Sequence, residues 1–274
     1  MSASSKPVLC GSIAGRPGRF GVAMHTAAYR ALDLDYVYVA FGTENTAGAV
    51  AAMRALGVRG LGVTMPHKRR IAEHLDAIDD EARAIGAVNT VVNDAGRLTG
   101  YNVDWIGAVR AFREVLDVSL ARVAVIGAGG GARAIVYGLL REGARVTLFN
   151  RGEATGRATA EHFGVDFGGP PGALSLVAPF DLIAHATPVG SDDQEATLLP
   201  IAALRPGTVV FDAVTMPSET RLLREAKAKG CRTISGVRMQ LHQAARQFEL
   251  YTGLAPELAV MEEALRTAMD RAAD

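Results

Sequence analysis

Short apolar runs, closed by turn residues, alternate along this chain with stretches whose apolar positions recur every three to four residues. That alternation predicts an α/β fold built on parallel sheets. Val8–Ile13 reads as a first strand and Val22–Leu34 as a helix. Tyr36–Phe41 is a second strand, Thr46–Leu56 a helix and Leu61–Met65 a third strand. Pro66 fits the first turn of a helix carrying Arg69–Leu75, since its missing N–H has no partner to lose there. Ala87–Val92 and Leu98–Tyr101 flank Asn93-Asp94-Ala95-Gly96, a turn cluster that predicts a hairpin. Trp105, Val109, Phe112 and Leu116 then recur at helical spacing after Asp104.

A second series begins at Arg122. It runs strand 122–127, helix 132–142, strand 145–150 and helix 154–163, followed by strands Phe180–Thr187, Thr208–Val214 and Arg232–Ser235, with Thr220–Lys229 helical. After Gly236 only helical spacing remains. Leu241, Ala244, Phe248 and Tyr251 form one apolar face, Gly253 is placed to end that helix, and Pro256 to start a last one. Two domains are expected: 1–103 with 238–274 as an α/β substrate-binding domain, and 104–237 as a doubly wound, Rossmann-type domain. The substrate is expected in the cleft between them.

Composition narrows the partners. The 274 residues are 49% hydrophobic, enough for one large core or two modest ones. Lys and Arg number 29 against 29 Asp and Glu, with no block of like charge, so no nucleic-acid partner is expected. Cys10 and Cys231 are far apart, and neither they nor the six histidines show ligand spacing, so no metal is expected. There is no signal-like N-terminus, and no uncharged apolar run long enough to span a bilayer. A cytoplasmic protein with no membrane partner is the expectation.

The richest segment is Val123-Ala-Val-Ile-Gly-Ala-Gly-Gly-Gly-Ala132. A buried strand ends in Gly127-Ala128-Gly129-Gly130-Gly131-Ala132, which satisfies G-x-G-x-x-A and opens a helix. The first glycine permits the tight turn, the second admits a pyrophosphate, and Ala132 lets helix pack on strand. The next strand ends in Phe149-Asn150-Arg151, with Arg157 further on, where an NAD-selective site would carry an acid. A neutral amide beside a guanidinium suits a 2′-phosphate, so NADP is expected over NAD.

Lys68, in Val63-Thr64-Met65-Pro66-His67-Lys68, falls just past a strand end in the first turn of the predicted helix. Strand carboxyl ends face the ligand crevice of open α/β sheets, and a helix N-terminus disfavours a cation, so the placement points to function. The plainer reading is a wet basic surface shared with Arg69 and Arg70. Asp104 reads equally as an N-cap. Oxidising a secondary alcohol needs a group to take the hydroxyl proton while hydride leaves, and a lysine paired with a carboxylate does that.

At these residues the chain resembles the shikimate dehydrogenase family. It has V-T-x-P-x-K at 63–68, A-V-N-T at 87–90, N-x-D at 102–104, G-A-G-G-x-A/S at 127–132, N-R at 150–151 and A-T-x-x-G at 186–190, in family order. Gly236 and Gln243 match the segment entering the final helices. The resemblance implies NADP-dependent oxidation of shikimate to 3-dehydroshikimate, and the reverse, in aromatic amino acid biosynthesis. It makes Lys68 and Asp104 the catalytic pair, and Thr64, Asn89 and Gln243 hydroxyl-binding groups. Thr187, Val214 and Gly236 join the cofactor contacts. A monomer or homodimer is expected.

Three departures stand out. Family members carry Ser-x-Ser near the first βα turn for the substrate carboxylate, where this chain reads Gly11-Ser12-Ile13-Ala14-Gly15-Arg16-Pro17-Gly18-Arg19. Ser12 with Arg16, or Arg19, takes that role here by expectation, an arginine fork replacing two single donors. Thr215 stands for a tyrosine and Trp105 for a glycine. The Arg-Pro and the Thr-Ile-Ser-Gly stretch at 233–236 resemble the divergent shikimate dehydrogenase-like branch. The alternatives are therefore a ring acid such as quinate or aminoshikimate, or a non-catalytic NADP sensor. A sensor would need none of Lys68, Asp104, Asn89 and Gln243.

Overall fold

The computed structural model describes residues 6–177 and 179–273. They divide into two compact units: residues up to Val103 with Leu241 onward, and Asp104–Gln240.

The first unit carries a six-stranded sheet of β1 (Val8–Ala14), β2 (Tyr36–Gly42), β3 (Gly60–Val63), β4 (Ala77–Ile78), β5 (Thr90–Asp94) and β6 (Arg97–Tyr101), in the order β2-β1-β3-β5-β6-β4. The helices are α1 (Phe20–Ala31), α2 (Thr46–Ala55), α3 (Asp80–Ile85), the C-terminal part of α8 (Gly236–Thr252), and α9 (Leu258–Ala273), which packs on α1. The sheet is mixed, not parallel throughout. β5 runs antiparallel to both β3 and β6. The cause is the predicted hairpin, whose two turn residues Ala95 (φ 51°) and Gly96 (φ 94°) adopt the positive φ that tight strand reversal requires.

Local chemistry explains the helix ends. Asn45 caps α2 by accepting from Gly48 N–H, and Asp79 caps α3 by accepting from Glu81 N–H. Gly253 (φ 77°) follows the last residue of α8 as expected, and α9 begins two residues after Pro256. The helix expected from Pro66 is not there. Residues 65–70 form consecutive turns after a cis Met65–Pro66 bond, followed by a short 3-10 helix at Ile71–His74.

One face of this sheet buries an aromatic group. His25, fully buried, stacks on Tyr38 at 4.3 Å, with Tyr29, Phe248 and Tyr251 around it. Room for Tyr251 comes from Gly60, where a Cβ would lie 2.1 Å from the ring. Burial lowers the His25 pKa to about 3, the Gln247 side chain opposing this only in part. The native state thus refuses a proton that the unfolded chain accepts below pH about 6.5, so stability falls as pH drops from there toward 3. His25→Phe keeps the stacking surface and removes this titration. Urea unfolding at pH 7 and pH 5 should show the wild type losing about 2 kcal/mol more than the variant. Equal losses would refute the assignment.

The second unit is a parallel sheet of β7 (Arg122–Ile126), β8 (Arg145–Phe149), β9 (Asp166–Gly169), β10 (Leu182–His185), β11 (Val209–Asp212) and β12 (Arg232–Ser235). Its order, β12-β11-β10-β7-β8-β9, is the doubly wound order whose direction reverses between β7 and β10. α4 (Asp104–Arg113) and α5 (Gly130–Arg141) pack together against one face, burying Phe112, Ile135 and Leu139. On the other face Phe149, Phe180, Leu222 and Leu223 pack with α7 (Arg221–Ala228); α6 (Glu153–Phe163) lies along β8 and β9. Trp105 is explained here: it meets Tyr137 edge-on, and the Arg141 guanidinium lies over both rings. No helix among the described residues is long and apolar enough to cross a membrane.

Candidate active site

In the first unit, backbone bonding gathers the expected substrate-side residues at one sheet edge. Ser12 lies on β1, opposite Gly62 of β3. Past the strand ends, Thr64 N–H donates to Ile13 O (3.1 Å) and Gly15 N–H to Met65 O (3.0 Å). The Lys68 carbonyl accepts from Val88 N–H (2.8 Å), and the Asn89 carbonyl from Val63 N–H (2.7 Å). Ser12, Thr64, Lys68 and Asn89 thus share one edge. Arg16 lies exposed in the loop after β1, and Arg19 exposed just before α1.

The turn that carries Lys68 is held from inside by His67. Its Nε2 meets the Thr43 carbonyl at 2.8 Å, which can only accept, so Nε2 donates. In the neutral ring Nδ1 then accepts from the Thr46 hydroxyl at 2.8 Å. Both ring nitrogens are committed, which makes His67 a structural bracket for residues 65–70. Lys68 is half-buried and sits in no helix, so the dipole argument for its placement falls away. Its position at the carboxyl end of β3 remains.

Asn89 is fully buried and its amide is oriented unambiguously. Oδ1 accepts from Val103 N–H (2.8 Å) and from the Thr90 hydroxyl (2.9 Å), fixing the oxygen inward and the nitrogen as the donor end. Gln247 locks the arrangement, donating from Nε2 to Thr90 Oγ1 (3.0 Å) and to the Asn89 carbonyl (3.3 Å). Gln243, expected as the hydroxyl-binding group, is half-buried one turn before it on α8. The sequence reading missed Gln247. Its signal was a polar residue on the apolar stripe of Ala244, Phe248 and Tyr251.

Asp104 is buried and forms the first residue of α4, inside the helix and not at its cap. A negative charge there meets the positive end of the helix dipole.

In the second unit the glycine turn follows β7, and the helix begins at Gly130, two residues earlier than its sequence suggests. The first intrahelical bond runs from Arg133 N–H to Gly129 O, leaving the N–H groups of Gly130, Gly131 and Ala132 without an intrahelical partner. Gly129 offers no side-chain cap. Gly127 holds φ 119°, and a Cβ there would lie 2.9 Å from Ala186 O and 3.1 Å from Thr187 Cγ2. These features fit a pyrophosphate: open donors, a positive dipole end and a backbone nothing overhangs. Gly127, Asn150, Arg151 and Thr187 line a cleft at the point where strand order reverses, together with Pro188 and Leu198. Ala128 stands next in the turn, and Ala132 is fully buried where helix meets strand. Val214 and Gly236 belong together, since a Cβ on Gly236 would lie 2.7 Å from Val214 O. Arg157 is committed elsewhere: it pairs with Glu153 and covers the Phe167 ring.

Residues 20–91 match the family described as "Shikimate dehydrogenase substrate binding domain", and residues 236–266 match "Shikimate 5'-dehydrogenase C-terminal domain". The shikimate dehydrogenase (NADP(+)) of Methanothermobacter thermautotrophicus is 40% identical over 261 residues, covering 90% of this chain and 92% of that one. Shikimate 5-dehydrogenase from Thermus thermophilus, solved in complex with NADP(H) and shikimate, superposes with a TM-score of 0.88 at 35% identity, covering 95% of this chain and 99% of that one. Quinate dehydrogenase from Corynebacterium glutamicum, in complex with NAD, gives a TM-score of 0.87 at 32% identity, covering 96% and 100%. A likeness that runs almost from end to end, through both units, has one meaning: the chain belongs to the shikimate dehydrogenase family.

Proposed function

We propose that this protein is an NADP-dependent shikimate dehydrogenase, converting shikimate and NADP+ to 3-dehydroshikimate, NADPH and a proton, and catalysing the reverse. Family membership supports the reaction class, and the observation that carries it is the sheet edge where Lys68 stands beside Asn89, whose amide oxygen is fixed by Val103 N–H and the Thr90 hydroxyl. When bound, the dinucleotide accepts the hydride. Lys68 and Asp104 hold the reacting hydroxyl, and the lysine takes its proton as the carbonyl forms. Asn89 Nδ2, Thr64 and Gln243 bind the remaining ring hydroxyls. The turn at 127–132 holds the pyrophosphate, and Arg151 beside Asn150 takes the 2′-phosphate.

The loop after β1 favours a second reading at the level of substrate. Ser12 and Arg16 replace a paired-hydroxyl carboxylate site, so a related ring acid such as quinate is the competitor. Initial rates with NADP+ and NAD+ across shikimate, quinate and aminoshikimate separate the two. Shikimate with NADP+ should give the highest kcat/KM, and a higher value with another acid would transfer the assignment to it. Arg151→Ala should raise KM for NADP+ roughly tenfold while leaving KM for NAD+ nearly unchanged, because only the 2′-phosphate is lost as a partner.

A further inference from the structure

The most unusual polar group in the second unit is a buried chain that ends in the dinucleotide cleft. Asp212, at the end of β11, is fully buried, and three donors meet its carboxylate. Thr220 Oγ1 donates to Oδ2 (2.6 Å), Val214 N–H donates to Oδ1 (3.1 Å), and His185 Nδ1 lies 3.0 Å from Oδ1. His185, at the end of the neighbouring β10, is only 2% exposed. Its Nε2 lies 2.6 Å from Thr187 Oγ1.

The proton positions follow from the partners. A carboxylate only accepts, so Nδ1 carries a proton, and in the neutral imidazole Nε2 is left with a lone pair. Thr187 must then donate its hydroxyl proton to Nε2, while its oxygen accepts from Val189 N–H at 3.3 Å. With the hydroxyl so held, the Thr187 methyl is the group turned toward Gly127: a Cβ added at Gly127 would meet that methyl at 3.1 Å.

We infer that His185 is a positioning residue for the dinucleotide site. Backed by Asp212, it fixes the Thr187 side chain so that the cleft meets a methyl beside Gly127 and an oxygen that can only accept. The ligand group seated there is consequently a hydrogen-bond donor, a ribose hydroxyl or an amide N–H, and not a phosphate oxygen. The inference rests on the NADP reading above, and it concerns binding alone.

The test is a cycle of His185→Asn and Thr187→Val. Asparagine still donates to Asp212 but is too short to reach Thr187, and valine removes only the hydroxyl. NADP+ dissociation constants come from the emission of Trp105, the sole tryptophan. Each single variant should weaken NADP+ binding about five- to tenfold and raise its KM equally, with kcat at saturating NADP+ held within about twofold. The double variant should be no weaker than the worse single, because both act through one hydrogen bond. Unchanged affinity in His185→Asn, or losses that multiply in the double variant, would overturn the inference. If His185→Asn does not fold, 15N spectra of the intact protein decide: a protonated Nε2 on His185 refutes the arrangement, and a bare one that shifts in Thr187→Val supports it. A wild type that binds NADP+ yet oxidises no ring acid would refute the reaction while leaving this inference standing.

Discussion

Lys68→Ala is expected to lower kcat for shikimate by about a thousandfold while the NADP+ dissociation constant stays within about twofold. The size follows from removing the one group proposed to take the hydroxyl proton, since positioned acid–base groups contribute about 10²- to 10⁴-fold. The selectivity follows from where the residue sits. Its contribution to the fold is its carbonyl, which accepts from Val88 N–H, and the bracket on its turn is the neighbouring His67. Alanine keeps both. The glycine turn proposed to hold the nucleotide belongs to the other unit and is untouched. Steady-state rates alongside Trp105 titration separate the two quantities, and a kcat within threefold of wild type would eliminate Lys68 as the proton acceptor.

Gly127→Ala carries the second large effect, in the opposite pattern. The φ of 119° lies where L side chains rarely go, and the added Cβ presses on the Ala186 carbonyl, which is backbone and cannot rotate aside. Such strain costs about 1–3 kcal/mol before any clash is counted. The second unit should therefore lose about 3 kcal/mol or more of stability, seen by Trp105 emission in urea, and NADP+ affinity should fall at least about tenfold. A variant that binds NADP+ normally would show that the turn does not approach the pyrophosphate.

The alternating pattern made most of the architecture legible because it depends on local burial. β12 falls at Arg232–Ser235 as its apolar run indicates, and the hairpin turn at Ala95-Gly96 follows from residues that accept positive φ. The segment after Thr64 resisted the same reasoning. Proline followed by basic residues satisfies every local rule for a helix start, yet His67 is drawn inward by Thr43 and Thr46, some twenty residues away in sequence. Tertiary bonds outweighed propensity there. The short β4 was invisible for a related reason: its two residues exist as a strand only because β6 lies beside them. Within the candidate site, glycines and charged residues were readable as motifs. Gln247, Thr90 and the His185–Asp212 pair were not, because each acts by holding another residue and carries no chemistry of its own at the surface.

The fit of Tyr251 over Gly60 has a consequence for how this lineage changes over time. A ring that occupies the volume of an absent side chain makes the two positions a single inherited object, although they lie 191 positions apart. Enlarging residue 60 alone collides with the ring, and trimming residue 251 alone opens a cavity. Drift at either site is thereby tied to a matching step at the other, so α8 and the third strand diverge in concert.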